Sequence, residues 1–156
     1  MLEIAKYRDK VYKIIGAAMT VHSELNWGLL EAVYQEALHL ELLDLGIDNQ
    51  REEEIRVYYK KHLMEKKYKM DIVVGDIVVE LKSVAKLSPE DRAQLCIYLR
   101  LTRKPLGLLL NFGEESLIGE RWAYDAGTNK CYIVDRNLDP ISGADYSYLL
   151  NTDSNL

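Results

Sequence analysis

The sequence predicts an α/β domain with a mixed sheet flanked by helices. Three observations carry this. Apolar residues recur at helical spacing through the first 45 residues. Two strand-like runs, Tyr68–Val74 and Ile77–Lys82, are separated only by Gly75-Asp76. A well-capped helical segment then leads to the almost entirely apolar run Leu106–Asn111, and a strand–helix–strand unit of this kind closes as a right-handed parallel crossover.

The elements follow in order. Over residues 3–22, Ile4, Tyr7, Val11, Ile14, Ile15, Ala18 and Val21 predict an amphipathic helix, which Asn26-Trp27-Gly28 breaks. A second helix is expected from Leu29 to Leu45, stopped by Gly46. His22 and Trp27, flanking the break, read as structural. Ile55–Lys60 alternates and contains Tyr58-Tyr59, the pattern of a strand. Gly75-Asp76 suits a two-residue type II′ turn. Ser88-Pro89-Glu90-Asp91 is a helix start, with Ser88 as cap, Pro89 in the first helical position and Asp91 closing a capping box. That helix must end before Pro105. Leu106–Asn111 reads as a strand buried on both faces. Arg121–Asp125 and Cys131–Asp135 flank Ala126-Gly127-Thr128-Asn129 and form an added hairpin, and the last ten or so residues are polar and expected to fray. The core order is α, α, β, β, β, α, β. Residues 1–113 are expected to form the main domain, with 114–156 an extension packed on it.

Composition excludes several classes. With 156 residues, 48% hydrophobic and 29% charged, the chain has the make-up of one globular unit. Its longest apolar runs, such as Leu106–Leu110, fall far short of the roughly 20 residues that span a bilayer, and its charged N-terminus is unlike a signal peptide; no membrane partner and a cytoplasmic location are expected. Cys96 and Cys131 make no CxxC pair and no disulfide framework. The three histidines have no zinc-ligand spacing. There is neither a phosphate-binding GxxxxGK[ST] loop nor a GxSxG nucleophile motif.

The net charge of -5 at first opposes a polyanionic partner. It is unevenly spread. Residues 56–104 hold 12 Lys plus Arg against 6 Asp plus Glu, and the remainder holds 8 against 19. The positive excess falls on the segment that carries the chemistry below, so a phosphate partner and salt-sensitive binding are expected.

A tight turn at Gly75-Asp76 sets Val74 opposite Ile77, Asp71 opposite Glu80 and Lys69 opposite Lys82. One face then shows Met70, Ile72, Val74, Ile77, Val79 and Leu81. The other carries Lys69, Asp71, Val73, Val78, Glu80 and Lys82. Two carboxylates directly opposite repel, and a hard divalent cation such as Mg²⁺ or Mn²⁺ between them reverses the sign. Lys82 shares their face and can reach an anionic substrate. An ExK on a strand is by itself a solvated, charged face; the opposed Asp71 makes the two readings about even. Glu31 falls on the helical face of Tyr34, Leu38 and Leu42 and is expected to point inward, although a first-turn glutamate is also favoured by the helix dipole. Gln94 and Tyr98, four apart, share a face with Ile97 and Leu101, which in isolation is an amphipathic boundary.

Taken together, Gly28-x-x-Glu31-x-x-Tyr34, Asp71, Glu80-Leu81-Lys82, Gln94-x-x-x-Tyr98 and Gly107–Gly113 (GLLLNFG) resemble the GxxExxY protein family of the PD-(D/E)xK nuclease superfamily, in its exonuclease-like branch with a QxxxY motif. The resemblance spans residues 4–113. It departs at Met70, where the signature has Pro, and at Leu25-Asn26-Trp27, where the family has Gly and Pro. It implies a restriction-endonuclease-like αβββαβ core and Mg²⁺-dependent phosphodiester hydrolysis of nucleic acid, DNA first, with Mn²⁺ as a substitute. By the same resemblance Asp71, Glu80 and the Leu81 carbonyl bind the metal, Glu31 adds a ligand directly or through water, Lys82 activates water and stabilises charge on phosphate, and Gln94 and Tyr98 orient the groups. Two rivals stand beside this: a catalytically silent nucleic-acid-binding module on the same fold, and a protein-interaction module, as homodimer or with another protein, using Tyr58-Tyr59 or the C-terminal hairpin.

Overall fold

The computed structural model describes residues 2–145. A short 3₁₀ turn (Leu2–Tyr7) leads into α1 (Arg8–Leu25), followed by α2 (Glu31–Asp44), β1 (Gln50–Tyr59), β2 (His62–Val74), β3 (Ile77–Lys82), α3 (Pro89–Thr102), β4 (Leu106–Asn111), β5 (Ile118–Asp125), β6 (Lys130–Val134) and β7 (Pro140–Asp145). All seven strands form one sheet in sequence order. β3 and β4 are parallel and every other neighbouring pair is antiparallel. The mixed α/β architecture and the β3–α3–β4 crossover are as the sequence predicts. β1 and β2 are longer than expected, and β7 was not foreseen. The polar tail beyond residue 145 lies outside the described residues.

Local chemistry explains the breaks. Asn26, at φ 60, ends α1, its N–H bonding the His22 carbonyl at 2.8 Å. Gly46, at φ 74, ends α2 in a Schellman motif: Gly46 N–H meets Leu43 O at 2.9 Å and Ile47 N–H meets Leu42 O at 2.8 Å. Ser88 and Asp91 form the predicted capping box, with Asp91 N–H to Ser88 Oγ at 3.2 Å and Ser88 N–H to Asp91 Oδ2 at 3.0 Å. Gly75 has φ 57 and Asp76 does not share it, which fits the expected type II′ turn.

Both sheet faces are covered. Ile72, Val74, Ile77, Val79, Leu81, Leu106, Leu108 and Leu110 pack with α1 and α2. Val73, Val78, Leu109, Trp122 and Cys131 pack with Leu95, Cys96 and Leu99 of α3. Met70 corrects the alternation expected for β2: it lies with the α3 cluster, opposite to Ile72. The β1–β2 ladder skips Glu52 and Asp71, where Glu52 stands at φ 55, and the strand rotates there. Cys96 and Cys131, read from the sequence as no disulfide framework, are joined in a single disulfide that ties α3 to β6. Trp27 is exposed rather than packed. His22 is buried, with Nε2 2.9 Å from the Glu114 carbonyl.

The connection after β3 is held by the end of β4. Asn111, fully buried, takes the Val84 N–H on Oδ1 at 3.1 Å and gives Nδ2–H to the Val84 carbonyl at 2.9 Å. Phe112 N–H bonds the Lys82 carbonyl at 2.8 Å. Gly113 lies so close that a Cβ there would overlap the Val84 backbone. Gly113→Ala is therefore expected to destabilise the fold by about 2–3 kcal/mol, read as a lower urea midpoint; an unchanged midpoint would contradict this packing.

Candidate active site

The site lies where β2 and β3 separate. Their backbone ladder runs through Val74–Ile77, Val73–Val78 and Ile72–Val79 and then stops, one pair short of the expected Asp71–Glu80 pairing. Side chains take over. Asp71 N–H donates to Glu80 Oε1 at 2.9 Å, and Leu81 N–H donates to Asp71 Oδ2 at 2.8 Å. Each carboxyl group thus accepts a backbone N–H where the ladder ends. Beyond this point β2 stays paired with β1 and β3 with β4. Lys69 accordingly sits opposite Glu54 of β1, not opposite Lys82.

Burial governs the electrostatics. Glu80 is 3% exposed. Its pKa lies well above the ordinary carboxylate value, first because burial penalises its charge and then because Asp71 is beside it. Asp71, half-buried, is also raised by burial, against the pull of the Leu81 N–H. The two carboxyl groups act on each other in opposite senses, Glu80 drawing the Asp71 pKa down and Asp71 pushing that of Glu80 up. Burial likewise pushes the Tyr98 hydroxyl up to about 12, with Glu80 and Asp71 adding to it, so Tyr98 stays protonated and can donate.

Lys82 is held at the rim of this pair. Its Nζ donates to Gln94 Oε1 at 3.0 Å and lies 3.7 Å from Asp91 Oδ1. Asp91 therefore serves twice, closing the α3 cap with one oxygen and facing Lys82 with the other. Gln94 and Tyr98, expected on one face of α3, both reach the site, Gln94 through Lys82 and Tyr98 through the field of the carboxylates.

Glu31 requires a correction. Tyr34, Leu38 and Leu42 are buried, but Glu31 is exposed. It opens α2 and stands at the edge of the site, where partial burial raises its pKa, Lys82 lowers it and Asp71 raises it again. Position at the first helical residue, rather than the apolar face, places it there. The other members of its motif are structural. Gly28 has φ 105, a region that disfavours side chains. Tyr34 stacks on Phe112 at 4.7 Å, donates its hydroxyl to Asn26 O at 2.5 Å and accepts the Leu29 N–H at 3.2 Å. Ser83 Oγ–H bonds the Leu29 carbonyl at 2.6 Å. The loop that positions Glu31 is thus tied to the residue after Lys82.

Sequence reasoning missed Gln35, a buried side chain on α2 whose Nε2 lies 3.3 Å from both Asp71 Oδ1 and Glu52 Oε1 and whose Oε1 accepts Arg51 Nε–H at 3.2 Å. One turn after Glu31, it was visible only as a polar residue beside an apolar stripe. Asn111 and Ser83 were missed as well.

The donor set suits a hard divalent ion. A buried and a half-buried carboxyl group lie side by side and offer only oxygen donors, while Lys82 is engaged by Gln94 and Asp91. Among the described residues no group of three or more His, Cys, Asp or Glu side chains is arranged to hold a metal.

A family model described as the PD-(D/E)XK nuclease superfamily matches residues 8–121. No curated protein matches the chain. Among solved structures it is similar to SSO0001, a crystal structure with 20% sequence identity and a TM-score of 0.45, over 79% of this chain and 63% of that one; the chain thus spans less than two thirds of that protein. The family match includes α1 through β4 and every candidate site residue, and on that ground the chain belongs to the PD-(D/E)XK nuclease superfamily.

Proposed function

We propose that the protein is a Mg²⁺-dependent nuclease, with Mn²⁺ as a substitute, that hydrolyses phosphodiester bonds of DNA, and that within its superfamily it is a GxxExxY protein with the QxxxY signature. The observation that carries this reading is the reciprocal Asp71–Glu80 pair at the strand fork, with Lys82 fixed beside it by α3. A sequence optimised for stability alone would not bury two opposed acids there. Gly28, Glu31 and Tyr34 support the family assignment, because the glycine and tyrosine shape the loop that delivers the glutamate to the same site.

In this reading Asp71, Glu80 and the Leu81 carbonyl hold the ion, and Glu31 at the rim adds a ligand directly or through water. The bound ion would lower the pKa of its water and neutralise phosphoryl oxygens. Lys82 adds positive charge where the phosphate becomes more negative, and Gln94 holds its Nζ on that side. Tyr98 offers a neutral hydroxyl to a phosphate or ester oxygen. Gln35 holds Asp71 in its orientation.

The test is cleavage of single-stranded, duplex and branched DNA, with matched RNAs, in Mg²⁺ or Mn²⁺. Wild-type protein is expected to yield products that EDTA abolishes. Asp71→Asn should lower the rate by on the order of 10³-fold or more and Lys82→Ala by about 10²-fold. Products that survive Asp71→Asn undiminished would assign the activity elsewhere. No products on any substrate, with binding that survives Glu80→Ala, would favour the silent binding module. Protein mass that rises with concentration, without salt-sensitive nucleic-acid binding, would favour the interaction module.

A second prediction concerns stability. Because folding raises the Glu80 pKa, the ionised side chain costs stability as pH rises above the ordinary carboxylate range, and costs nothing below it, where the folded and unfolded states are both protonated. Glu80→Gln keeps an oxygen for the Asp71 N–H and is neutral. It should stabilise the metal-free protein at pH 7 by about 1 kcal/mol, raising Tm by roughly 2–4 °C, and the gain should shrink toward pH 4. A lower Tm for the variant at pH 7 would contradict the assigned electrostatics.

A further inference from the structure

β1 and β2 are the longest strands of the sheet, and beyond the site they continue together as a two-stranded arm from Ile55–Tyr68 to the turn at Lys60-Lys61. Between residues 55 and 70 the arm carries Arg56, Lys60, Lys61, Lys66, Lys67 and Lys69 against one acid, Glu65. All six basic residues are exposed, in a chain whose total charge is -5. Aromatic rings stand among them: Tyr58 and Tyr59 are largely exposed and Tyr68 is partly so.

Tyr68 links the arm to the site. Its ring lies 5.9 Å from that of Tyr98, whose hydroxyl feels the charges of Glu80 and Asp71. Lys66 Nζ lies 5.5 Å from the Tyr68 ring centre, and Lys60 stands similarly over Tyr59. Tyr68 and Lys66 also line a shallow groove with Val57, Leu63 and Met64. Lys67 is engaged with Glu54 at 3.6 Å, so part of the charge is offset near the base of the arm. The succession of carboxylates, Tyr98, Tyr68 and Lys66 therefore leads outward along one face of the arm.

We infer that this arm is a guide for single-stranded nucleic acid, in which Tyr68 stacks an unpaired base beside the Asp71–Glu80 site while the arm's lysines follow the backbone. This deepens, and rests on, the nuclease reading above. An aromatic ring beside a cation binds any base through its π-face. That face is free in a single strand and covered in a duplex, so the arm discriminates by strandedness and not by sequence.

The test is fluorescence anisotropy of a labelled 15-nucleotide mixed-sequence DNA strand and of its blunt duplex, with the whole chain in EDTA, so that binding is read without cleavage. Wild-type protein should bind the strand at least about 5-fold more tightly than the duplex. Tyr68→Ala should weaken strand binding by about 5- to 100-fold with little effect on the duplex, and Tyr68→Phe should restore it. Lys66→Ala should lower the slope of log affinity against log salt by about 0.7. Equal affinity for strand and duplex, unaltered strand binding by Tyr68→Ala, or no binding of either DNA would overturn the guide. If the guide fails and the nuclease reading holds, metal-dependent products still form but strand binding ignores Tyr68. If only cleavage fails, Tyr68-dependent strand binding persists without products.

Discussion

The fold and the site meet at one substitution of chemistry: where β2 and β3 part, two carboxylates replace the backbone as hydrogen-bond acceptors. Asp71 takes the Leu81 N–H, and Glu80 takes the Asp71 N–H. Because those donors are satisfied, the strands can diverge without orphaned polar groups. Burial of Glu80 beside half-buried Asp71 penalises their charges more than Lys82 and the two N–H groups offset them, so both pKa values are raised. In the proposed reading a divalent cation offsets that charge at the point where the sheet opens.

The surrounding structure serves to keep this fork in place. The α3 cap is not separable from the site, since Asp91 faces both Ser88 and Lys82. The end of β4 is equally committed: Asn111 and Gly113 clamp the Val84 backbone just beyond Lys82. On the opposite side Tyr34 fixes the loop before α2, and Ser83 ties that loop to the end of β3. Three short motifs far apart in the chain thus converge on one residue pair, and most of their members act by holding backbone rather than by touching a phosphate.

Much of this was legible because it depends on local rules. The two-residue turn at Gly75-Asp76 dictates register, so the proximity of Asp71 and Glu80 followed from spacing; the capping box at Ser88–Asp91 and the all-apolar β4 were equally direct. The errors arose where partners are distant. Glu31 shares a helical stripe with Tyr34, but the stripe leaves the core at the first turn, so the glutamate is exposed. Met70 breaks alternation because the ladder skips Asp71 and Glu52. Gln35 and Asn111 looked like ordinary polar residues, since their partners lie 36 and 27 positions away, and the Cys96–Cys131 bond spans 35 positions between elements with no sequence sign of contact.

In the proposed reading Asp71 and Glu80 form a divalent-metal site. Titration of the metal-free protein with Mn²⁺, followed by the loss of the free-ion electron paramagnetic resonance signal, tests it without reference to any substrate. One bound ion per chain, lost in Asp71→Asn and displaced by excess Mg²⁺, is the predicted result. No binding by the folded wild-type chain, or binding equal in wild type and Asp71→Asn, would contradict it.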